Sequence, residues 1–116
     1  MTQSVSEITV QELAQKLAHL GPDHRLQLLD VREPQEAAIA HIEGFEVLPL
    51  SEFPNWSVNF LDRYDPQQET LVLCHHGVRS AQMCQWLRNI GFKNVKNILG
   101  GIEAYATSID TNIPRY

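Results

Sequence analysis

Thr70-Leu71-Val72-Leu73-Cys74-His75-His76-Gly77-Val78-Arg79-Ser80 is the stretch on which the reading of this chain turns. Its first part is a short run dominated by Leu and Val, the pattern of a buried strand, and a helical pattern begins at Ser80. A thiol therefore stands where a strand ends and a helix starts. Backbone N–H groups from His75 to Ser80, with the positive end of the helix dipole, are placed to favour an anionic sulfur at Cys74. Gly77 tolerates the positive φ that a tightly curled loop needs. Arg79 adds a permanent positive charge at the far end of the loop, whereas His75 and His76 add none that is fixed. The stretch has the makings of a site that holds a sulfur anion and receives an anionic substrate.

Upstream and downstream, strand and helix patterns alternate. Glu7-Ile8 reads as a short first strand, and Thr9 with Glu12 forms a capping box for a helix whose apolar stripe is Val10, Leu13, Leu17 and Leu20. Gly21-Pro22 stops that helix. Leu26 to Val31 reads as a second strand, Pro34 opens a short helix, and Glu46 to Leu50 reads as a third strand. Ser51 to Arg63 reads as partly helical, interrupted near Pro54. Thr70 to Leu73 is the fourth strand and Ser80 to Ile90 the clearest helix, with Met83, Cys84, Leu87 and Ile90 on one face and Gly91 as its stop. Val95 to Leu99 is a fifth strand, and Gly100-Gly101 leads into a last helix. The expectation is an α/β fold with an open, mainly parallel five-stranded sheet covered by helices on both faces. In such sheets ligands lie outside the carboxyl ends of the strands, where both Asp30 and Cys74 fall.

A length of 116 residues suits one domain, 1–116, able to bury a core without disulfides or metals. The net charge of −5 and the lack of a basic cluster argue against nucleic acid and acidic membrane as partners. No run approaches the ~18 apolar residues of a membrane span, and Met1 to Glu7 has no secretory pattern, so a cytoplasmic location is expected. Two cysteines in that setting point to a catalytic or buried thiol rather than a structural disulfide.

The two cysteines divide by context. Cys84 lies in the apolar stripe and reads as core, while the polar, glycine-containing stretch after Cys74 argues for a working thiol. His75 and His76 could suggest a metal, but no second Cys or His pair completes a ligand set, so no metal is expected. Their side chains are expected at the rim of the site. Asp30 is placed to hold Arg79 or Arg32 in a charge-assisted pair, which makes Asp30 and Arg32 second-tier site candidates. Trp56 and Trp86 read as packing residues.

Three patterns in order resemble the single-domain rhodaneses, a sulfurtransferase family with an open α/β sheet. They are Leu28-Leu29-Asp30-Val31-Arg32-Glu33-Pro34 with His41-Ile42-Glu43-Gly44, then Cys74-His75-His76-Gly77-Val78-Arg79-Ser80, then Gly91-Phe92-Lys93-Asn94-Val95 with Leu99-Gly100-Gly101-Ile102. The tail from Ile109 to Tyr116 is similar to the end of rhodanese domains fused to sulfur-carrier-activating enzymes. The chain departs from the family at Ala40, at Phe45 to Pro49 and at Tyr105, which read as packing changes. His75 and His76 stand where relatives carry Arg or Lys.

The resemblance implies that Cys74 takes a sulfane sulfur from a small anionic donor such as thiosulfate, holds it as a persulfide and passes it to a thiol or cyanide. No cofactor is required, and covalent capture splits one hard transfer into two easier ones. His75, His76, Gly77, Val78, Arg79 and Ser80 would then line the substrate site. A persulfide carrier or binding module acting with a sulfur-relay protein is the alternative. A phosphatase-like or arsenate-reductase-like enzyme is disfavoured. Its loop carries one residue more between Cys and Arg than the four here, and so has room for a tetrahedral oxyanion.

Overall fold

The structure is a computed structural model that describes residues 5–116; the first four residues of the polar Met1–Glu7 segment lie outside it. Five strands make one sheet: β1 (Glu7–Ile8), β2 (Gln27–Asp30), β3 (Glu46–Val47), β4 (Thr70–Leu73) and β5 (Val95–Ile98). Their order is β1-β5-β4-β2-β3, and every neighbouring pair is parallel. The helices are α1 (Val10–Ala18), α2 (Pro34–Ile39), α3 (Phe53–Trp56), α4 (Phe60–Arg63), α5 (Val78–Asn89) and α6 (Gly101–Ser108), with a 3-10 turn at Leu50–Glu52.

Side-chain alternation along β4 assigns the two faces. Val72 and Cys74 join Leu29, Phe60, Met83, Cys84, Leu87 and Phe92 in one core, against α4 and α5. Leu71 and Leu73 join Leu13, Leu28, Ile98 and Ile102 in the other, against α1 and α6. Trp56 and Trp86 pack with Phe53 and Phe60 in an edge-to-face cluster, as packing residues should. The Thr9 capping box is present, Thr9 Oγ accepting from the Glu12 N–H at 3.1 Å while Glu12 accepts from the Thr9 N–H at 2.9 Å.

Two segments differ from the sequence reading. The third strand is Glu46–Val47 only; Leu48 and Leu50 still donate to Asp30 O and Val31 O beside β2, but the chain passes through Pro49, which has no N–H to give, into the 3-10 turn at Leu50–Glu52. The helical segment breaks at Ser57 to Asn59 and not at Pro54, which sits in the first turn of α3 where a missing N–H costs nothing.

Topology positions the site. From β2 the chain moves outward to β3, whereas from β4 it moves the other way to β5. The connections after these neighbouring strands diverge, leaving a crevice at their carboxyl ends. Asp30 is in register with Leu73, so Cys74 and the residues after Asp30 border that crevice together.

Candidate active site

Cys74 is the first residue beyond the central strand, and its residue surface is only 1% exposed. Its Sγ accepts from the Gly77 N–H at 3.0 Å and contacts Ser80 Oγ at 3.1 Å. Gly77 can turn its N–H inward because it adopts φ +105°, in the left-handed region, as the cap of α5. Ser80 is fully buried one turn into α5, and its Oγ also lies against Asn97 Oδ1. Asn97 Nδ2 in turn donates to Gly77 O at 3.0 Å. One hydroxyl proton cannot serve both Sγ and Asn97, so Ser80 can accept from a thiol while donating to Asn97, or donate to a sulfur anion.

The start of the loop is held from the other side of the sheet. The N–H groups of Ile102 and Glu103, in the first turn of α6, donate to Cys74 O at 3.0 Å and His75 O at 3.1 Å. This approach requires glycine at 101. A Cβ there would lie 2.5 Å from Cys74 O and 2.4 Å from His75 O, and φ is +62°.

Of the two partners open to Asp30 in the sequence, the structure selects Arg32. The buried pair is bidentate, with Nη2–Oδ2 at 2.7 Å and Nε–Oδ1 at 3.0 Å. Arg32 Nη2 also donates to Ala40 O, and Nη1 donates to the hydroxyl of Tyr116 at 2.8 Å. Burial opposes its charge, yet the bonds to Asp30 and Tyr116 keep its pKa raised. Asp30 and Arg32 therefore tie the end of β2 to α2 and to the C-terminal segment.

Arg79 turns to Glu36, a residue the sequence reading did not single out. Nη1–Oε1 is 2.6 Å and Nη2–Oε2 is 2.8 Å. Tyr116 donates its hydroxyl to the same carboxylate at 2.8 Å. The bonds from Arg79 pull Glu36 down to about 2, against the opposing effect of burial, and Glu36 raises Arg79 in return.

His75 and His76 lie at the rim, with His75 half-buried and His76 exposed. The Tyr116 ring stacks on His75 at 3.9 Å and 9°, and His76 stacks on its other side at 3.9 Å and 27°. Burial, then the neighbouring His76, holds the His75 imidazole below the ordinary value, which favours its neutral form. With Glu103 these histidines bring possible metal-ligand atoms within 4.8 Å of one another. Glu103 is engaged by Arg115, and stacking keeps the two imidazoles side by side rather than convergent. Val78, also expected at the site, is 69% exposed on the loop's outer side. Cys84 is fully buried, and burial pushes its thiol up to about 12, with the nearby Cys74 adding to the shift.

Asn97, Glu36 and Tyr116 were not found from the sequence. Each meets the site across a wide gap in the chain, and polar residues of these types carry no local signal. The Gly100-Gly101 pair was the one visible hint of a close backbone approach.

A thiol at a parallel strand's end, ringed by a turn N–H and a buried hydroxyl, agrees with comparison to known proteins. The profile of the rhodanese-like domain matches residues 9–108. The chain belongs to the rhodanese-like domain family. It is 44% identical over 112 residues to the chloroplastic Rhodanese-like/PpiC domain-containing protein 12 of Arabidopsis thaliana, covering 97% of this chain and 38% of that protein. It thus spans well under half of the plant relative. It is 33% identical over 93 residues to the thiosulfate sulfurtransferase GlpE of Vibrio cholerae, covering 80% of this chain and 76% of that one. The crystal structure of a rhodanese-like domain protein from Staphylococcus aureus superposes with a TM-score of 0.74 at 27% identity, over 97% of this chain and 99% of that chain. No described helix of this rhodanese-like chain is long and apolar enough to cross a membrane.

Proposed function

We propose that the chain is a sulfurtransferase that moves sulfane sulfur from a small donor to a thiol or cyanide through a persulfide on Cys74. The observation that carries this reading is the pair of donors on one sulfur, Gly77 N–H at 3.0 Å and Ser80 Oγ at 3.1 Å, in a loop with four residues between Cys74 and Arg79. Such a loop surrounds one sulfur atom and leaves little room for a phosphate above it.

In the loading step the Cys74 thiolate attacks the outer sulfur of the donor. The donor's S–S bond breaks and the leaving group, sulfite in the case of thiosulfate, departs with the electron pair. Before attack, Ser80 swings its proton from Asn97 to the Cys74 thiolate and Gly77 donates to the same sulfur without moving, so holding the nucleophile as an anion needs little reorganisation. In the second step the acceptor attacks the terminal sulfur, and Cys74 is regenerated as thiolate. Asp30 and Arg32 act as positioning residues, since their polar atoms are already engaged with each other, Ala40 and Tyr116.

The test is intact-protein mass before and after thiosulfate. The expected result is a gain of one sulfur atom, absent in Cys74→Ser and removed by cyanide with release of thiocyanate. Sulfur gain without steady cyanide turnover would assign the chain to the carrier class, working with a partner protein. Turnover of an aryl phosphate that depends on Cys74, with no sulfur gain, would overturn the reading.

A further inference from the structure

The fixed charge at the end of the loop suits Arg79 to drawing in an anionic donor, yet each arginine bonded to this face meets a carboxylate. Arg32 is bidentate with Asp30, Arg79 with Glu36, and Arg115 is paired with Glu103. The Glu36 pair is the one that bears on the loop. Its carboxylate takes two bonds from Arg79, one from the Tyr116 hydroxyl and one from the Glu33 N–H at 3.0 Å, so it is fixed from three directions. With a pKa of about 2 it stays ionised at any working pH. His75 is covered by Tyr116 on one face, and its burial disfavours the charged form. A cation neutralised at 2.6 Å presents a dipole, whose attraction for a dianion falls off much faster than that of a bare charge. What stands beside the pair is aromatic: the Tyr116–His75–His76 stack.

We propose that Glu36 is a specificity-determining residue which cancels the charge of Arg79 and turns this site from dianionic sulfur donors toward low-charge persulfides of the type R–S–SH. The inference rests on the sulfurtransferase reading and adds the donor class to it. In the step it favours, the Cys74 thiolate attacks the outer sulfur of R–S–SH and the R–S bond to that sulfur breaks. RS⁻ leaves with the electron pair, and Cys74 keeps the terminal sulfur as a persulfide. No external oxidant or reductant is consumed.

The experiment is single-turnover loading of the full chain, read by intact mass, with thiosulfate and with cysteine persulfide as the two donors. The wild type is expected to load from cysteine persulfide with the larger second-order rate constant. Its thiosulfate loading should change less than about twofold between low and high KCl, the sign of a compensated site. Glu36→Gln, which keeps the shape and removes the charge, should lower the thiosulfate half-saturation roughly tenfold, make it salt-dependent, and shift the ratio of the two donors' loading rate constants toward thiosulfate. Glu36→Asp, which restores the charge, should return thiosulfate to its weak wild-type behaviour; a cap without donor selectivity would not produce that pattern. A wild-type thiosulfate rate that falls steeply with salt overturns the inference whether or not the variants fold. An unchanged thiosulfate half-saturation in folded Glu36→Gln overturns it as well, while the sulfurtransferase reading stands. Sulfur gain from neither donor overturns that reading and this inference with it.

Discussion

Ser80 has one hydroxyl proton and two oxygen or sulfur neighbours that can take it, and that shortage makes it responsive to the charge on Cys74. Ser80→Ala removes the donor while leaving the helix intact, since alanine is the better helix former. Sulfur loading should slow by roughly ten- to a hundredfold, the scale of losing one preorganised donor, and the buried Asn97 Oδ1 left without its donor should cost about 1–3 kcal/mol of stability. Loading at the wild-type rate would remove Ser80 from the proposed mechanism. The two thiols offer a matched contrast. Cys74→Ser should abolish sulfur gain, whereas Cys84→Ser should retain it and lose about 1–3 kcal/mol of stability, because a hydroxyl would replace a thiol in a fully buried apolar place. Mass analysis and urea unfolding of the two variants check both halves. The distinction was legible in the sequence, as Cys84 keeps helical spacing with Leu87 and Cys74 follows a strand. The partner of Arg79 was not, since Glu36 precedes it by 43 positions and nothing local connects them.

At the scale of elements, the loop is a splice between β4 and α5 clamped by α6. Gly101→Ala places a methyl against two backbone oxygens at 2.4–2.5 Å and forces a left-handed conformation on an L residue. Backbone atoms cannot yield as a side-chain tip does. The expected cost is about 3 kcal/mol or more, with loss of sulfur loading in whatever fraction stays folded. Thr9→Ala is the corresponding control at the start of α1, next to the edge strand β1. It removes a capping box and should cost about 1 kcal/mol while leaving the loading rate per folded molecule unchanged. Calorimetry with single-turnover loading separates the two; equal effects on loading would mean that α6 does not position the loop. The capping box and the run of β4 were both read from local pattern, because each depends on neighbours a few residues apart. The break at Ser57 to Asn59 was not, because those residues carry no strong stop signal and the segment bends to seat Trp56 and Phe60 against Trp86.

At the scale of the whole molecule, Tyr116 joins parts of the chain that are far apart in sequence. It bonds Arg32 and Glu36, and its ring covers His75. The Glu36 carboxylate at the centre of this arrangement is held at about 2, below the ordinary 4.5. A depressed acid stabilises the fold above its unfolded value and stops doing so as pH falls through its folded one. The stability difference between wild type and Glu36→Gln, on the order of 1 kcal/mol, should therefore be constant above about pH 5 and vanish toward pH 2. Urea midpoints across that range measure it, and a difference that persists at pH 2 would show that the Arg79 pair is not its source. The same titration has no bearing on donor choice near neutrality, where Glu36 stays charged.

Features that depend on near neighbours along the chain can be read before any fold is known. Alternating apolar runs, the Thr9 cap, the strand-to-helix step at Cys74 and the glycine at 77 specify an α/β sheet with a thiol at a strand end. Those features follow from the two periods of the backbone and from which residues tolerate which φ, so they can be read without knowing what lies across the sheet. The charge state of the site, by contrast, is set by contacts between distant parts of the chain. Whether Arg79 faces a donor or a carboxylate, and what else fixes that carboxylate, depend on pairings 43 and 80 positions apart, made when parallel strands bring their carboxyl ends together. Coulomb energy acts through space and takes no account of chain order, so a motif can announce a cation without revealing that it has already been neutralised.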